Sequence, residues 1–228
     1  MNPVTRWVSS LPSDWKEGCS QALFAAAYDC HQSPGRFYHQ WNHVVDCVEK
    51  LRTFPSYSGR SVFLALLFHD AVYVPGNSDN EERSAELASH LLRQHSSIHE
   101  TEIAQITRFI RATKHHKVAS GDGSRDLQAT LDIDMSILGA PPEAYRAYAE
   151  GVRQEYCPAV TSEAKFAAGR TAFLSNVLAQ RTIFHTGEGI ARWESKAREN
   201  IAKELDALRV RQTWWWRVVT WLLRWRDK

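Results

Sequence analysis

The feature that most constrains the fold is the segment Ser61–Tyr73, SVFLALLFHDAVY, which is the most apolar stretch in the chain. Such a run must be buried, and each fully buried aliphatic or aromatic side chain contributes about 1.5–3 kcal/mol. The segment contains His69-Asp70, two side chains that can bind metal ions. Neighbouring helical residues point about 100° apart, so both reach one ion only where burial holds the backbone rigidly. We therefore expect the rest of the chain to be organised around this segment.

The hydrophobic pattern predicts an all-α fold. Apolar residues recur at helical spacing, and no segment alternates apolar and polar residues as a half-buried strand does. Spacing and breaks predict helices over about 13–30, 38–51, 60–67, 80–95, 103–114, 125–138, 142–156, 162–179 and 189–208. A chain of 228 residues suits one sizeable domain, which we place at 1–210, followed by a short tail at 211–228.

Composition excludes several classes of function. The net charge of +2 gives no broad basic field, so no specific nucleic-acid partner is expected. The N-terminal segment lacks the apolar region of a signal peptide, and no run reaches the ~20 apolar residues that span a bilayer. The four cysteines have no C-x-x-C spacing, which favours buried free thiols in a reducing cytoplasm over disulfides or a thiolate metal site.

Two further polar motifs lie among apolar residues. His39 and His43 are four residues apart, which would put both on one face of a helix, a spacing found at metal sites and also by accident. Asp132 and Asp134, taken alone, are most simply a solvated pair or a helix cap. A carboxylate in an apolar setting is costly unless it is paired or bound to a cation. One ion that collects all three motifs explains them together.

The donor set indicates which ions would fit. Imidazole nitrogens and carboxylate oxygens suit a borderline divalent ion, with coordination positions left for water. We therefore expect one divalent metal ion as the cofactor, from the group Mn, Fe, Co, Ni, Zn or Mg.

On these residues the chain resembles the HD superfamily of metal-dependent phosphohydrolases, whose core is a histidine, then His-Asp, then a later aspartate. More narrowly, it resembles a bacterial subfamily of predicted HD-domain phosphohydrolases. The matching stretches, over about 33–206, are RFYHQWNH, FHDAVYVPGNSDNEERSA, IRATKHH, LDIDMSILG, YRAYAEGVRQEY and ARENIAKEL. YHQWNHVVD is also similar to the YHNxxHAxDV signature of cyclic-nucleotide phosphodiesterases. The resemblance implies an HD-domain helical bundle around a metal site.

The resemblance also implies an enzyme that hydrolyses a phosphate ester or anhydride in a nucleotide or another small phosphorylated metabolite. By position, His39 becomes the general acid. Asp70 or Asp134 would orient the attacking water as well as bind the ion, and we assign this catalytic role to Asp70. The implied metal ligands are His43, His69, Asp70 and Asp134. The glutamine that grips a purine ring in the phosphodiesterases is not identifiable here, so cyclic-nucleotide specificity is not carried over.

Several alternatives remain open on sequence alone. Asp134 matches the final family motif better than Asp132, which would then lie behind the ligands. The protein could instead be a non-catalytic HD module that retains metal and binds a nucleotide or a protein partner. An iron oxygenase of the same superfamily would require more histidines than the sequence clearly supplies.

Four residues near the motifs are candidate hydrogen-bond donors to substrate phosphates, and one carboxylate, Glu81, is a further candidate for the substrate pocket. The predicted substrate-binding residues are Arg36, Lys114, His115, His116 and Glu81. The alternative for Lys114-His115-His116 is a solvated helix C-terminus, and for Glu81 the first turn of a helix capped by Asp79 or Asn80. Arg153, Glu155 and Tyr156 also match the family stretches, and we interpret this match as a structural ion pair.

The C-terminal segment TWWWRVVTWLLRWRDK differs from the rest of the chain. It contains five of the nine tryptophans, Trp214, Trp215, Trp216, Trp221 and Trp225. As a helix it would be amphipathic, with a narrow polar stripe and a wide apolar face, and it is too short to span a bilayer. We expect it to contact either a membrane surface or a second subunit or its own domain, so the cytoplasmic protein could also be peripheral at the inner membrane surface.

Overall fold

The computed structural model describes residues 3–54, 59–118 and 124–226, and it places side chains for 4–54, 59–118 and 124–210. Over these ranges the chain forms eleven α-helices and no β-strand, which confirms the all-α prediction. The helices are α1 Pro3–Ser10, α2 Ser13–Lys16, α3 Gln21–Cys30, α4 Trp41–Arg52, α5 Arg60–Phe68, α6 Asn80–His95, α7 Glu100–Ala112, α8 Arg125–Met135, α9 Pro142–Tyr156, α10 Glu163–Leu178 and α11 Gly187–Arg226. A short 3₁₀ helix, Ser136–Gly139, follows α8.

Helix α5 lies at the centre of the larger hydrophobic core. Every side chain from Val62 to Phe68 is fully buried, and α5 packs against α2, α4, α6, α7 and α8. Phe63 stacks on Trp15, with 5.6 Å between ring centroids, and also contacts the rings of Trp7 and Phe24. Burial on all sides explains why the apolar run shows no polar face, and it fixes the helix end that carries His69-Asp70.

A second hydrophobic cluster joins α9, α10 and α11 to the 3₁₀ helix. Gly139 permits the closest approach in this cluster, because a Cβ there would lie 2.5 Å from the Cβ of Trp193 and 2.7 Å from its carbonyl oxygen. Asn200 reinforces the contact by donating to the carbonyl oxygens of Leu138 and Ala140 at 2.8 and 2.9 Å. The last long helix is thereby fixed against the end of α8.

Several helix boundaries differ from the sequence prediction. The helix predicted from residue 38 begins at Trp41, so His39 lies in the preceding loop and not on one helical face with His43. The predicted 13–30 helix is two helices, because Gly18 adopts φ +74° between them. Asp79, one of the two predicted caps of α6, occupies the N-cap position, but its side chain makes no capping hydrogen bond.

Helix α11 runs without a break through the boundary predicted at residue 210, so the tail begins as a continuation of this helix. Among the side chains that the structure describes, Leu208 is the last buried one of α11, at 8% exposed, whereas Val210 is 67% exposed. The predicted contacts of the tail fall outside the part of the chain whose side chains are described. They were assigned to Trp214, Trp215, Trp216, Trp221 and Trp225. In the described part of the chain, no helix combines the length and apolar character needed to cross a membrane.

Candidate metal centre

Three chain segments bring metal-binding side chains to one point. His43 lies in the first turn of α4, His69 directly follows α5, and Asp134 is in the last turn of α8. The Nε2 atoms of His43 and His69 are 3.1 Å apart, and Asp134 Oδ1 is 3.3 Å from each. Each residue offers a ligand atom within 4.8 Å of the other two, and both imidazoles are buried. The geometry thus brings together three of the four predicted ligands.

The hydrogen bonding of His69 favours a cation at this point. Its Nδ1 lies 2.9 Å from the carbonyl oxygen of Leu66, which can only accept, so Nδ1 carries the proton in the neutral ring. Nε2 then presents a lone pair to His43 and Asp134. Metal-binding histidines commonly have this arrangement, with the other ring nitrogen donating to a carbonyl or carboxylate.

The electrostatics of the cluster also favour positive charge. Burial lowers the pKa of His69, but the carboxylates of Asp70 and Asp134 outweigh burial and raise it well above its ordinary value. Burial likewise opposes ionisation of Asp134, yet the rings of His69, His116 and His43 hold its pKa well below its ordinary value. The carboxylate is therefore ionised at neutral pH, as a ligand must be.

The fourth predicted ligand, Asp70, flanks this group. Its Oδ2 is 3.0 Å from His69 Nε2 and 3.8 Å from His43 Nε2. Its side chain is 16% exposed and that of Asp134 is 13% exposed, so both carboxylates lie at the more exposed edge of the cluster. A carboxylate at this edge can bind an ion held by the other three or orient a water beside it.

His116 is the predicted phosphate donor that reaches the cluster. Its Nε2 lies 2.8 Å from Asp134 Oδ2, and its backbone adopts a left-handed φ of +49°. Lys114 instead donates to the carbonyl oxygen of Ser78 at 2.5 Å, and His115 is exposed. The substrate contacts predicted for Lys114 and His115 stay predictions.

Arg36 joins the two segments that carry the histidines and Asp70. Its Nη1 donates to the carbonyl oxygens of His39 at 2.9 Å and Asp70 at 2.6 Å, and its Nη2 donates to that of Ala71 at 3.0 Å. The side chain is buried and lies over the ring of Tyr73. These contacts occupy much of its donor capacity, and the predicted phosphate contact stays a prediction.

The segment 79–84, DNEERS, lies at the start of α6, and its Asn80 and Ser84 side chains fix the loop that follows Asp70. The Asn80 amide exchanges hydrogen bonds with the backbone of Val74, and the Ser84 hydroxyl does so with Val72. Glu81 is half-buried in the first turn of α6 and has no hydrogen bond or ion pair with any described residue. Its predicted substrate contact therefore also stays a prediction.

Glu155 lies in an ion pair as predicted, but the sequence did not identify its partner, His39. Its Oε2 lies 2.7 Å from His39 Nδ1 and accepts from the Tyr73 hydroxyl at 3.0 Å. Its Oε1 accepts from the backbone N–H groups of Phe37, Tyr38 and His39. Arg153 pairs with Glu150 and Glu163, whereas Glu155 pairs with His39. The stretch YRAYAEGVRQEY, which contains Glu155, was the signal available in the sequence. It could not identify His39 as the partner of Glu155.

Glu155 and Tyr73 fix the orientation of the His39 ring. Tyr73 stacks on His39 with 4.0 Å between ring centroids, and His39 lies 6.0 Å from the His43 ring. Burial lowers the pKa of His39, but the charge of Asp70 and the hydrogen bond to Glu155 raise it above its ordinary value. The ring is 19% exposed, and its Nε2 has no hydrogen-bond partner among the described residues. His39 can therefore carry a proton beside the cluster.

Asp132 faces away from the three-residue group. Its buried carboxylate accepts from the backbone N–H of His185 at 2.7 Å, and from the N–H and hydroxyl of Thr186 at 2.8 and 2.6 Å. His185 in turn donates from Nε2 to the carbonyl oxygen of His116 at 3.0 Å. Asp132 thus helps to position the segment that bears His116, and Asp134 is the aspartate in the candidate centre. Nothing in the sequence pattern pointed to His185 or Thr186.

Comparison with known proteins found no significant match to this chain among family models, curated proteins or solved structures. Function must therefore be argued from the motifs and from the geometry of the cluster.

Proposed function

We propose that the protein is a metal-dependent phosphohydrolase of the HD type, acting on a phosphate ester or anhydride in a nucleotide or another small phosphorylated metabolite. The observation that carries the proposal is the convergence of two buried imidazole nitrogens and one ionised carboxylate oxygen within 4.8 Å of one another. The His-x-x-x-His, His-Asp and Asp-x-Asp motifs support the assignment to the HD type, because they supply this cluster in the order that the superfamily uses.

The residues present fit a divalent transition metal. His43, His69 and Asp134 would hold the ion, and Asp70 would complete the set from the solvent side. A mixed set of imidazole and carboxylate ligands is typical of such ions, whereas Mg²⁺ prefers oxygen ligands alone. A bound ion would lower the pKa of a water molecule and polarise a phosphoryl oxygen.

The protein's own proton chemistry would come from His39. Glu155 holds Nδ1, so the Nε2–H of the protonated, partly exposed ring would be the group that donates to the substrate. When a phosphate ester is hydrolysed, its alcohol part leaves as an alkoxide. Proton transfer from a positioned imidazolium to the leaving oxygen accelerates such reactions by about 10²–10⁴-fold. Asp70 would accept a hydrogen bond from the attacking water and so orient it. His116 is the nearest candidate for a contact with the substrate phosphate.

Metal content of the purified protein tests the centre directly. The wild type should contain close to one equivalent of a divalent transition metal, and His43→Ala should lose most of it, because one of three converging ligands is gone. His90→Ala is the matched control, since His90 is an exposed histidine on α6. Full metal occupancy in His43→Ala would refute the site assignment.

A hydrolysis assay over a panel of nucleotides and small phosphate esters, with added Mn²⁺, tests the activity. His39→Gln should keep the metal and lose about 10²–10⁴-fold in kcat, because it removes the proton donor and none of the ligands. Metal binding without hydrolysis of any compound in a broad panel would instead favour the alternative function, a module that retains metal and binds a nucleotide or a protein partner.

A further inference from the structure

The backbone of α11 continues past the last residues of the second hydrophobic cluster. Leu205 and Leu208 are buried in the second hydrophobic cluster, whereas Asp206, Arg209 and Val210 are exposed. The helix continues to Arg226, which adds about 24 Å of helix after Val210 at 1.5 Å per residue. This extension has its own sequence character and does not form part of the candidate metal centre.

Charge in this extension has a single sign. Between Asp206 and Asp227 the sequence has five arginines and no carboxylate. The arginines are Arg209, Arg211, Arg217, Arg224 and Arg226. The net charge of the whole chain is only +2, so this end of the molecule carries a local positive charge that the remainder nearly balances. Its electrostatic complement is an anionic surface.

Within residues 213–225, the helical register separates polar from apolar positions. At about 100° per residue, Thr213, Arg217, Thr220 and Arg224 fall within a stripe of roughly 60°. Tryptophan, valine and leucine occupy nine of the twelve other positions of 211–226, whereas Arg211, Gln212 and Arg226 fall outside the stripe, at the two ends of the segment. A two-stranded coiled coil shows the opposite proportions, a narrow apolar seam flanked by charges of both signs.

We infer that residues 211–226 form an interfacial helix that binds the surface of an anionic phospholipid bilayer. Tryptophan is enriched at the headgroup level of membranes, because its ring is apolar and its N–H can still find a polar partner. Arginines near such a surface gain about 1 kcal/mol each from anionic lipids. The charges and the length of the segment favour a helix lying in the interface over one that crosses it. This inference concerns the attachment of the protein and does not depend on the proposed hydrolysis.

Vesicle flotation of the full-length protein tests the inference. The probes are vesicles of pure phosphatidylcholine and vesicles that also contain phosphatidylglycerol, each at about 0.1 M and 1 M salt. We expect flotation with the anionic vesicles and much weaker flotation in 1 M salt, where the Debye length falls from about 10 Å to about 3 Å. Equal flotation with both vesicle types at both salt concentrations would refute the electrostatic part of the inference.

Two double variants separate charge from apolar contact. Arg217→Gln with Arg224→Gln should weaken binding to anionic vesicles by about 30-fold, which corresponds to about 2 kcal/mol. Arg146→Gln with Arg181→Gln is the charge-matched control, because both arginines are exposed on the body of the protein, and it should change binding less than threefold. Trp221→Ala with Trp225→Ala should weaken binding at least tenfold through lost apolar burial.

Two alternative partners for the apolar face of residues 211–226, a second copy of the chain and its own domain, predict distinct experimental results. If the helix packs against a second copy, the protein fails to float, and the tryptophan variant changes the molar mass measured by light scattering. If it packs against its own domain, the protein again fails to float, and the tryptophan variant lowers the midpoint of thermal unfolding. Either result overturns the membrane inference.

Discussion

Replacement of Glu155 by glutamine is the most informative single change to the region around the candidate centre. The wild-type carboxylate accepts hydrogen bonds from three backbone N–H groups, from the Tyr73 hydroxyl and from the His39 ring. The Glu155 side chain is fully buried. Glutamine has nearly the same shape but no charge, and its amide group can only donate where the wild-type Oε2 accepts. The variant therefore removes the charge and part of the acceptor capacity without opening a cavity.

The size of the effect follows from the pKa of Glu155. Burial raises this pKa, but the hydrogen bond and charge of His39 and the backbone donors lower it from 4.5 to about 2. A difference of this size between the folded and unfolded states is worth about 3 kcal/mol at pH 7. Because the pKa is lower in the folded protein, this stabilisation is complete above pH 4.5 and is lost as the pH falls from 4.5 towards 2.

Urea unfolding followed by tryptophan fluorescence measures the effect. Glu155→Gln should lower the free energy of unfolding by about 3 kcal/mol at pH 7 and by only about 1.5 kcal/mol at pH 3. Glu143→Gln on the same helix is the control, because Glu143 is 80% exposed and pairs with an exposed arginine. It should cost no more than about 1 kcal/mol at either pH. An equal loss at pH 7 and pH 3, or a loss no larger than the control's, would refute the reasoning.

Four further changes test the packing of the helices by urea unfolding or hydrogen exchange. Leu66→Ala should cost about 2–5 kcal/mol of unfolding free energy, because Leu66 is fully buried in α5; a smaller loss would contradict its central position. Gly139→Ala should cost about 1–3 kcal/mol through collision with Trp193, whereas Gly169→Ala, with open space around its Cβ, should stabilise α10 by about 0.5–1 kcal/mol. Asp132→Asn should speed hydrogen exchange of the backbone amides of His185 and Thr186, which donate to the Asp132 carboxylate. Unchanged exchange would exclude the role of Asp132 in positioning this segment.

Predictions that depend on local pattern were largely confirmed. The helical spacing of apolar residues is a property of neighbouring positions, so α5, α9 and α10 were located to within one or two residues. The same reasoning failed where a single residue overrides the pattern. Gly18 divides one predicted helix, and the loop before Trp41 removes His39 from the helix that bears His43.

The candidate centre was also partly readable from the sequence. His43, His69 and Asp134 could be grouped because each lies among apolar residues, where an unpaired polar group is costly. The sequence left open which of Asp132 and Asp134 faces the histidines. The structure decides this, since Asp132 accepts hydrogen bonds from His185 and Thr186 on the other side of the helix.

What the sequence determined by itself is the all-helical class, the central apolar helix and the polar residues at its end. What only the tertiary structure decided is how those residues are partnered. Glu155 holds His39 from 116 positions away, and Arg36 uses its guanidinium to join the loops on either side of the cluster. Apolar burial can be recognised position by position because it is not directional, whereas hydrogen bonds require defined distances and angles. Those distances exist only once distant helices are packed together.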